Sequence, residues 1–413
     1  MNMMKNGLQA KGELAPVSQN ERIQILDILR GFAVFGILVV NIGGFAAPSF
    51  WPGYIAPDDL PWYDDLAGKL VQFLAEAKFY SIFSFLFGLG FSVQLSRAAA
   101  KGRDIRSFYP RRLLILLGFG ILHAVLLWTG DILRLYALLG FALLAFHRRA
   151  TRTLLVWAGI FFSLSFLFLA LFNSQGGAGT AGIPGLDLVG MARYAYTSGT
   201  YLEFLLFQAI ASLGSFFVLL FTQGPSVMAL FLLGLLAGRL RLFEQLPERR
   251  SLAKTTLLCG LALGLAGSSL MVFSNTGWMK ALGLTLGAPA LAAAYISALA
   301  LLSLRPAGAR LLAPLGQVGR MALTNYVLQS LVCAFLFYGF GLGLYERVGA
   351  SILLGASLLI YLAQIPLSLW WLKRFQFGPL EWLWRSLTYR KRQPMRRQPV
   401  LEVEKKGLPA SAA

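Results

Sequence analysis

Repeated runs of about twenty apolar residues limit this chain more than any other feature. A helix rising 1.5 Å per residue needs about 20 such residues to span a bilayer core of about 30 Å. Runs of this kind lie near 28–47, 69–95, 113–130, 132–146, 153–173, 202–238, 255–273, 281–304, 321–344 and 349–372. The pattern predicts an all-α, polytopic transmembrane helix bundle of about 10 spans. Two runs are irregular. The run 132–146 is short, and 202–238 is too long for one straight crossing and holds Gly224-Pro225. Proline removes a backbone donor and breaks or kinks a helix, so 202–238 reads as one crossing plus an interfacial or bent piece. Only 13% of residues are charged, against about 25% in ordinary globular chains. That excludes a soluble globular enzyme, a disordered protein and a disulfide-rich secreted domain.

The net charge of +19 reads first as an orientation signal, because Lys and Arg collect in cytoplasmic loops. With ten crossings and the N-terminus inside, the inside segments hold 30 of the 37 basic residues. The outside segments hold Lys69, Arg134, Arg193, Lys280 and Arg347, and Arg30 and Lys78 lie within spans. Both termini are therefore expected in the cytoplasm, with the bundle in the inner membrane. The expected organisation is a cytoplasmic segment 1–27, a bundle 28–372, an amphipathic interfacial segment 373–389 and a basic, disordered tail 390–413. The bilayer is the first partner implied. Nucleic acid is not, because the basic residues are divided among loops with no recognition fold.

Cys259 and Cys333 lie in apolar runs and give neither a disulfide framework nor a zinc spacing. No metal site is expected. Residues 1–27 are polar and do not read as a cleavable signal. There is no GxxxxGK[ST], HExxH, CxxC or GxSxG, which argues against an ATP-driven pump, a zinc protease and a common hydrolase.

A charge at mid-bilayer costs roughly 2.5–3.5 kcal/mol on insertion scales, so the few polar residues inside spans need partners. Five clusters stand out. Asp27, Arg30 and Asn41 share the first span, where Arg30 either pairs with Asp27 or holds an anionic group. Lys78, Ser81 and Ser84 form a polar line in the second span, as interhelical glue or as part of a cavity. His123 lies in the third span and Asp131 in the turn after it, an outside turn in this topology. Imidazole suits proton transfer near neutrality, and packing is the alternative. Eight residues leave these two about 80° apart on a helix, so they meet only if the turn folds inward. Asn325 with Gln329, and Tyr326 with Ser330, are i,i+4 pairs, serving as glue or as a binding site. Glu381 and Arg385 are placed for a helical ion pair in a segment with Trp382 and Trp384, either an interfacial helix or a cytoplasmic lip.

These clusters resemble the DUF418, or YeiB-like, family of bacterial membrane proteins. The resemblance rests on Asp27-Ile28-Leu29-Arg30-Gly31-Phe32-Ala33 with Asn41, and on Phe83-Ser84-Phe85-Leu86-Phe87-Gly88. It continues through His123 with Gly130-Asp131-Ile132-Leu133, through Met321-Ala322-Leu323-Thr324-Asn325-Tyr326, and through Gly378-Pro379-Leu380-Glu381-Trp382. The family is distantly similar to the acyltransferase-3 and heparan-glucosaminide N-acetyltransferase groups. Those resemblances imply an acyl group passed from cytoplasmic acyl-CoA, as substrate and with no bound cofactor, to an envelope glycan, lipid or small-molecule acceptor. The glucosaminide relatives carry their catalytic histidine in the loop after the first span, whereas loop 48–65 here has none.

The combined expectation is an acyltransferase with His123 as base and Asp131 orienting it. Arg30, Asn41, Lys78, Ser84, Asn325 and Gln329 would bind substrate, with Lys78 or Asn41 stabilising the oxyanion. Arg111, Arg112, Arg320, Glu381 and Arg385 would form the donor entrance. A secondary transporter, and a scaffold or sensor without catalysis, are the competing classes.

Overall fold

The structure, a computed structural model, describes residues 24–51, 54–55, 57, 59–174 and 187–397. Most of the expected N-terminal segment and of the basic tail lies outside the described residues. Sixteen α-helices make up the fold, and the described residues hold no strand beyond an isolated bridge between Phe375 and Arg396. The first half contains α1 (Gln24–Ala46), α2 (Trp62–Leu74), α3 (Lys78–Ala100), α4 (Tyr109–Leu126), α5 (Leu133–Leu144), α6 (Thr151–Ser174), α7 (Leu188–Thr197) and α8 (Tyr201–Thr222). The second contains α9 (Gly224–Arg239), α10 (Arg250–Phe273), α11 (Gly277–Leu282), α12 (Ala288–Ser303), α13 (Pro306–Arg320), α14 (Ala322–Phe337), α15 (Ala350–Arg374) and α16 (Pro379–Tyr389).

Among the described residues, eight helical segments are long and apolar enough to cross a membrane. The pair α13 and α14, bent by 77° at Met321, makes a ninth if counted as one span. The expected tenth is α5. Its 12 residues rise about 18 Å, short of a full bilayer core. In the turn before it Trp128, Thr129 and Asp131 are all buried.

The long run 202–238 divides at Gln223 into α8 and α9. Pro225 falls in the first turn of α9, where its missing N–H leaves no helical bond unmade. The second piece is not interfacial. Twelve of its 16 residues are buried, and it packs along α3 at glycines. A Cβ on Gly88 would overlap the Phe231 carbonyl, and one on Gly234 the Phe85 carbonyl. Small residues let membrane helices approach this closely. The same device joins α1 to α13, where Gly31 faces the Leu315 carbonyl and Gly319 the Asp27 carbonyl.

Helix ends inside the bundle leave backbone groups without intrahelical partners, and buried charges satisfy several of them. Asp64 accepts from Ser351 N at 2.9 Å at the start of α15. Glu381 of α16 accepts from Leu323 N at 2.7 Å and Thr324 N at 3.1 Å at the start of α14. Lys78 donates to Gln72 O, in the last turn of α2, at 2.9 Å.

Candidate active site

The α4–α5 hairpin and α14 build the site. Leu127–Ile132 leaves helical geometry and folds Asp131 back beneath α4, which removes the 80° mismatch expected from the helix period. Gly120 makes room for this: a Cβ there would lie 2.7 Å from Arg134 N and 2.8 Å from Asp131 Oδ1. Asp131 Oδ2 then stands 3.0 Å from His123 Nδ1, with both side chains at 1% exposure or less. The approach lies off the ring N–H axis and is a close contact rather than a directed hydrogen bond. The other carboxylate oxygen, Oδ1, accepts from Arg134 N at 2.9 Å and lies 3.6 Å from Arg134 Nε. Arg134 is itself fixed by donation to Ser212 O at 2.9 Å and Thr129 O at 3.1 Å.

On the far side of the imidazole, Nε2 lies 2.8 Å from Ser330 Oγ. The His123 ring packs over Tyr326, one turn earlier on α14, with centroids 4.9 Å apart. Ser330, His123 and Asp131 therefore form a line of hydroxyl, imidazole and carboxylate, fully enclosed by the bundle. The carboxylate beside Nδ1 favours the proton on that nitrogen. Nε2 is then the acceptor for the Ser330 hydroxyl, the arrangement that lets a serine act as a nucleophile. The roles are recognised by geometry rather than by chain order.

Ser330 is the member of this line that sequence reasoning did not place beside His123. Its visible signal was the i,i+4 spacing from Tyr326, which also fits a serine bonded to its own helix. Tyr326 O lies 3.2 Å from Ser330 Oγ and competes with His123 Nε2 for the single hydroxyl proton.

The remaining candidates form separate networks. Asn325 Nδ2 donates to Val318 O and to Ser368 Oγ, each at 3.1 Å. Gln329 Nε2 donates to Gln364 Oε1 at 2.8 Å, and Gln364 donates to Asn325 O at 3.0 Å. This amide network joins α14 to α15. Ser84 lies 2.8 Å from the Tyr136 hydroxyl and donates to Tyr80 O. Arg30 pairs with Asp27 at 2.7 Å on the same helix. Asn41 is half-buried and makes no side-chain hydrogen bond among the described residues. Lys78 is fully buried and directed to the end of α2. Neither Lys78 nor Asn41 is among the groups that touch Ser330 or His123. The expected single cavity of Arg30, Asn41, Lys78, Asn325 and Gln329 is not what the bundle builds. Each of these side chains but Asn41 bonds to a near neighbour, although Asn325 Oδ1 has no partner among the described residues.

Four of the five expected entrance residues, Arg111, Arg112, Glu381 and Arg385, lie on or against α16. Arg111 donates to Thr388 O at 3.2 Å, and the Arg112 guanidinium stacks on Trp384 at 3.7 Å. Arg320 donates to Gln317 Oε1 at 3.0 Å, and Arg385 lies over the Phe377 ring at 4.7 Å. The expected Glu381–Arg385 pair gives way to capping, since Glu381 turns to α14, with Oε2 accepting from Thr324 Oγ1 at 2.5 Å. Burial raises the Glu381 carboxyl above its ordinary range, against the opposing effect of the Thr324 bonds. Among the described residues no group of three or more His, Cys, Asp or Glu could hold a metal ion.

Comparison with known proteins places this architecture. The chain is 35% identical over 399 residues to the uncharacterized protein YxaH of Bacillus subtilis (strain 168), covering 92% of this chain and 98% of that protein. The chain belongs to the DUF418 family. The family's description, "Protein of unknown function (DUF418)", matches residues 237–391, which span α10 to α16. The uncharacterized protein YeiB of Escherichia coli (strain K12) is 30% identical over 396 residues, 91% of this chain and 98% of that protein. An uncharacterized 39.9 kDa protein from the amylase 3' region of Bacillus acidopullulyticus is 31% identical over 403 residues, 92% of this chain and 97% of that protein. This DUF418 protein is thus a multi-pass membrane protein of a family whose named relatives here carry no assigned activity.

Proposed function

We propose that this DUF418 protein is a membrane acyltransferase of the bacterial inner membrane. The observation that carries the reading is the enclosed Ser330–His123–Asp131 line, with 2.8 Å and 3.0 Å between successive members. A base, its orienting carboxylate and a nucleophile are the parts that acyl transfer needs.

In the first half-reaction Ser330 Oγ attacks the thioester carbonyl of a cytoplasmic acyl-CoA. His123 Nε2 takes the hydroxyl proton. The C–S bond breaks, the proton passes to the departing thiolate, and an acyl-serine remains. In the second half-reaction an acceptor hydroxyl or amine gives its proton to His123 and attacks the ester. Ser330 leaves and recovers the proton. Asp131 stabilises the imidazolium at each transfer, and Arg134 holds Asp131 in place. The cations around α16 attract the phosphates of the donor. The acceptor is an envelope glycan, a lipid or a small molecule.

The test is transfer from acyl-CoA by purified protein, compared with His123→Ala. The proposal expects loss of transfer at unchanged folding, and full activity in the variant overturns the assigned role.

One observation favours a second reading. The 77° break at Met321 resembles the discontinuous helices that line transporter sites. Substrate flux into liposomes with no covalent change, undiminished by Ser330→Ala, would select a transporter instead.

A further inference from the structure

Away from the triad, an elongated apolar cleft of about 410 Å³ opens between α3, α9, α10 and α12. Phe85, Leu233, Ala293 and Ile296 form its walls. Along α12 and the π-helical turn before it, the lining runs from Thr285 to Ala300. That is about 22 Å at 1.5 Å per residue, against about 15 Å for one leaflet of the hydrocarbon core. The shape is that of a chain rather than a compact solute.

The mouth is charged. Arg249 lines the cleft and is the N-cap residue of α10. Its Nε donates to Gln245 at 3.1 Å, and its two terminal nitrogens have no acceptor among the described residues. Segment 239–254 holds five basic residues (Arg239, Arg241, Arg249, Arg250, Lys254) against two acidic ones (Glu244, Glu248). The first-turn N–H groups of α10 add a positive helix end at the same place.

We propose that this cleft holds one anionic phospholipid, with an acyl chain along α12 and the phosphate at Arg249. An apolar void inside the bundle forfeits dispersion contacts with its lining, and a lipid chain restores them. Basic pockets between membrane helices select anionic headgroups. The site makes no use of the triad and stands independently of the transferase reading.

Native mass spectrometry of the full chain tests it, with phosphatidylglycerol and phosphatidylcholine of matched chains as probes. The expected result is one retained phosphatidylglycerol, held at least tenfold better than phosphatidylcholine. Arg249→Gln should lower that preference about fivefold while leaving chain binding intact. Ala293→Phe should abolish retention of both lipids. Phosphatidylglycerol with six-carbon chains should bind much more weakly to the wild-type protein, which tests the chain contact even where Ala293→Phe fails to fold. Equal retention of the two headgroups, an unchanged preference in Arg249→Gln, or equal binding of short and long chains would overturn the proposal.

Discussion

Helix α14 carries two polar stripes, and they differ in what they can do. Asn325 and Gln329 face α15, and their amides meet Ser368 and Gln364. Tyr326 and Ser330, about 100° around the helix, face α4, where Ser330 meets His123 and through it Asp131. Both stripes are buried and hydrogen-bonded. Only the second meets an imidazole and, through it, a carboxylate. Polarity within a membrane helix therefore does not by itself mark a site. An amide ladder fixes a helix against its neighbour, whereas a hydroxyl–imidazole–carboxylate line can carry a reaction.

Variants on the two stripes separate these roles. The largest effect is expected from Asp131→Asn, which keeps the shape and alters the charge beside the imidazole. Transfer activity should fall about ten-thousand-fold with the purified protein still monodisperse and helical. A mild loss would place both stripes in the structural class. Next comes Gly120→Leu, which drives a side chain into the space of Asp131 and Arg134 N. It should abolish activity and lower the thermal midpoint, because overpacking a tight contact costs about 1–3 kcal/mol. Gln364→Leu on the amide stripe leaves Gln329 without its acceptor. It should destabilise by about 1–3 kcal/mol in thermal unfolding, while activity per folded molecule stays near wild type. If it silences the enzyme as completely as Asp131→Asn, the stripes are not separable.

The smallest effect concerns Glu381, which caps α14 from below. Burial favours its protonated form in the folded state, so the native protein binds that proton more tightly than the unfolded chain. Its contribution to stability is fully present below the ordinary glutamate range and declines as pH rises through the raised value. Glu381→Gln should flatten this slope in thermal midpoints measured from pH 4 to 8. An unchanged slope would remove Glu381 from the account of α14.

The bundle was legible in the sequence because hydropathy reports directly on the solvent a helix occupies. The shortness of α5 was legible as well, because His147-Arg148-Arg149 end its apolar run. His123 and Asp131 could be paired from the chain alone because only eight residues separate them. Ser330 could not, because it lies 207 positions from His123 and a membrane serine usually bonds to its own helix. Lys78 misled for a physical reason. A buried cation demands a partner, and the sequence does not show that α2 ends nearby with carbonyls unmet. Its partner is Gln72 O, as lysines near helix C-termini often find. Glu381 and Asp64 are the acidic counterparts at helix starts. Charges at broken helix ends and charges at a reaction centre look alike until the ends are located.

The central claim is that Ser330 carries the acyl group. Peptide mass spectrometry of the protein after brief incubation with acyl-CoA and no acceptor tests it most directly. The account predicts one acyl adduct, on the peptide containing Ser330, that disappears in Ser330→Ala and on addition of an accepted acceptor. Acyl transfer that proceeds with no adduct on that peptide, and at full rate in Ser330→Ala, would contradict it.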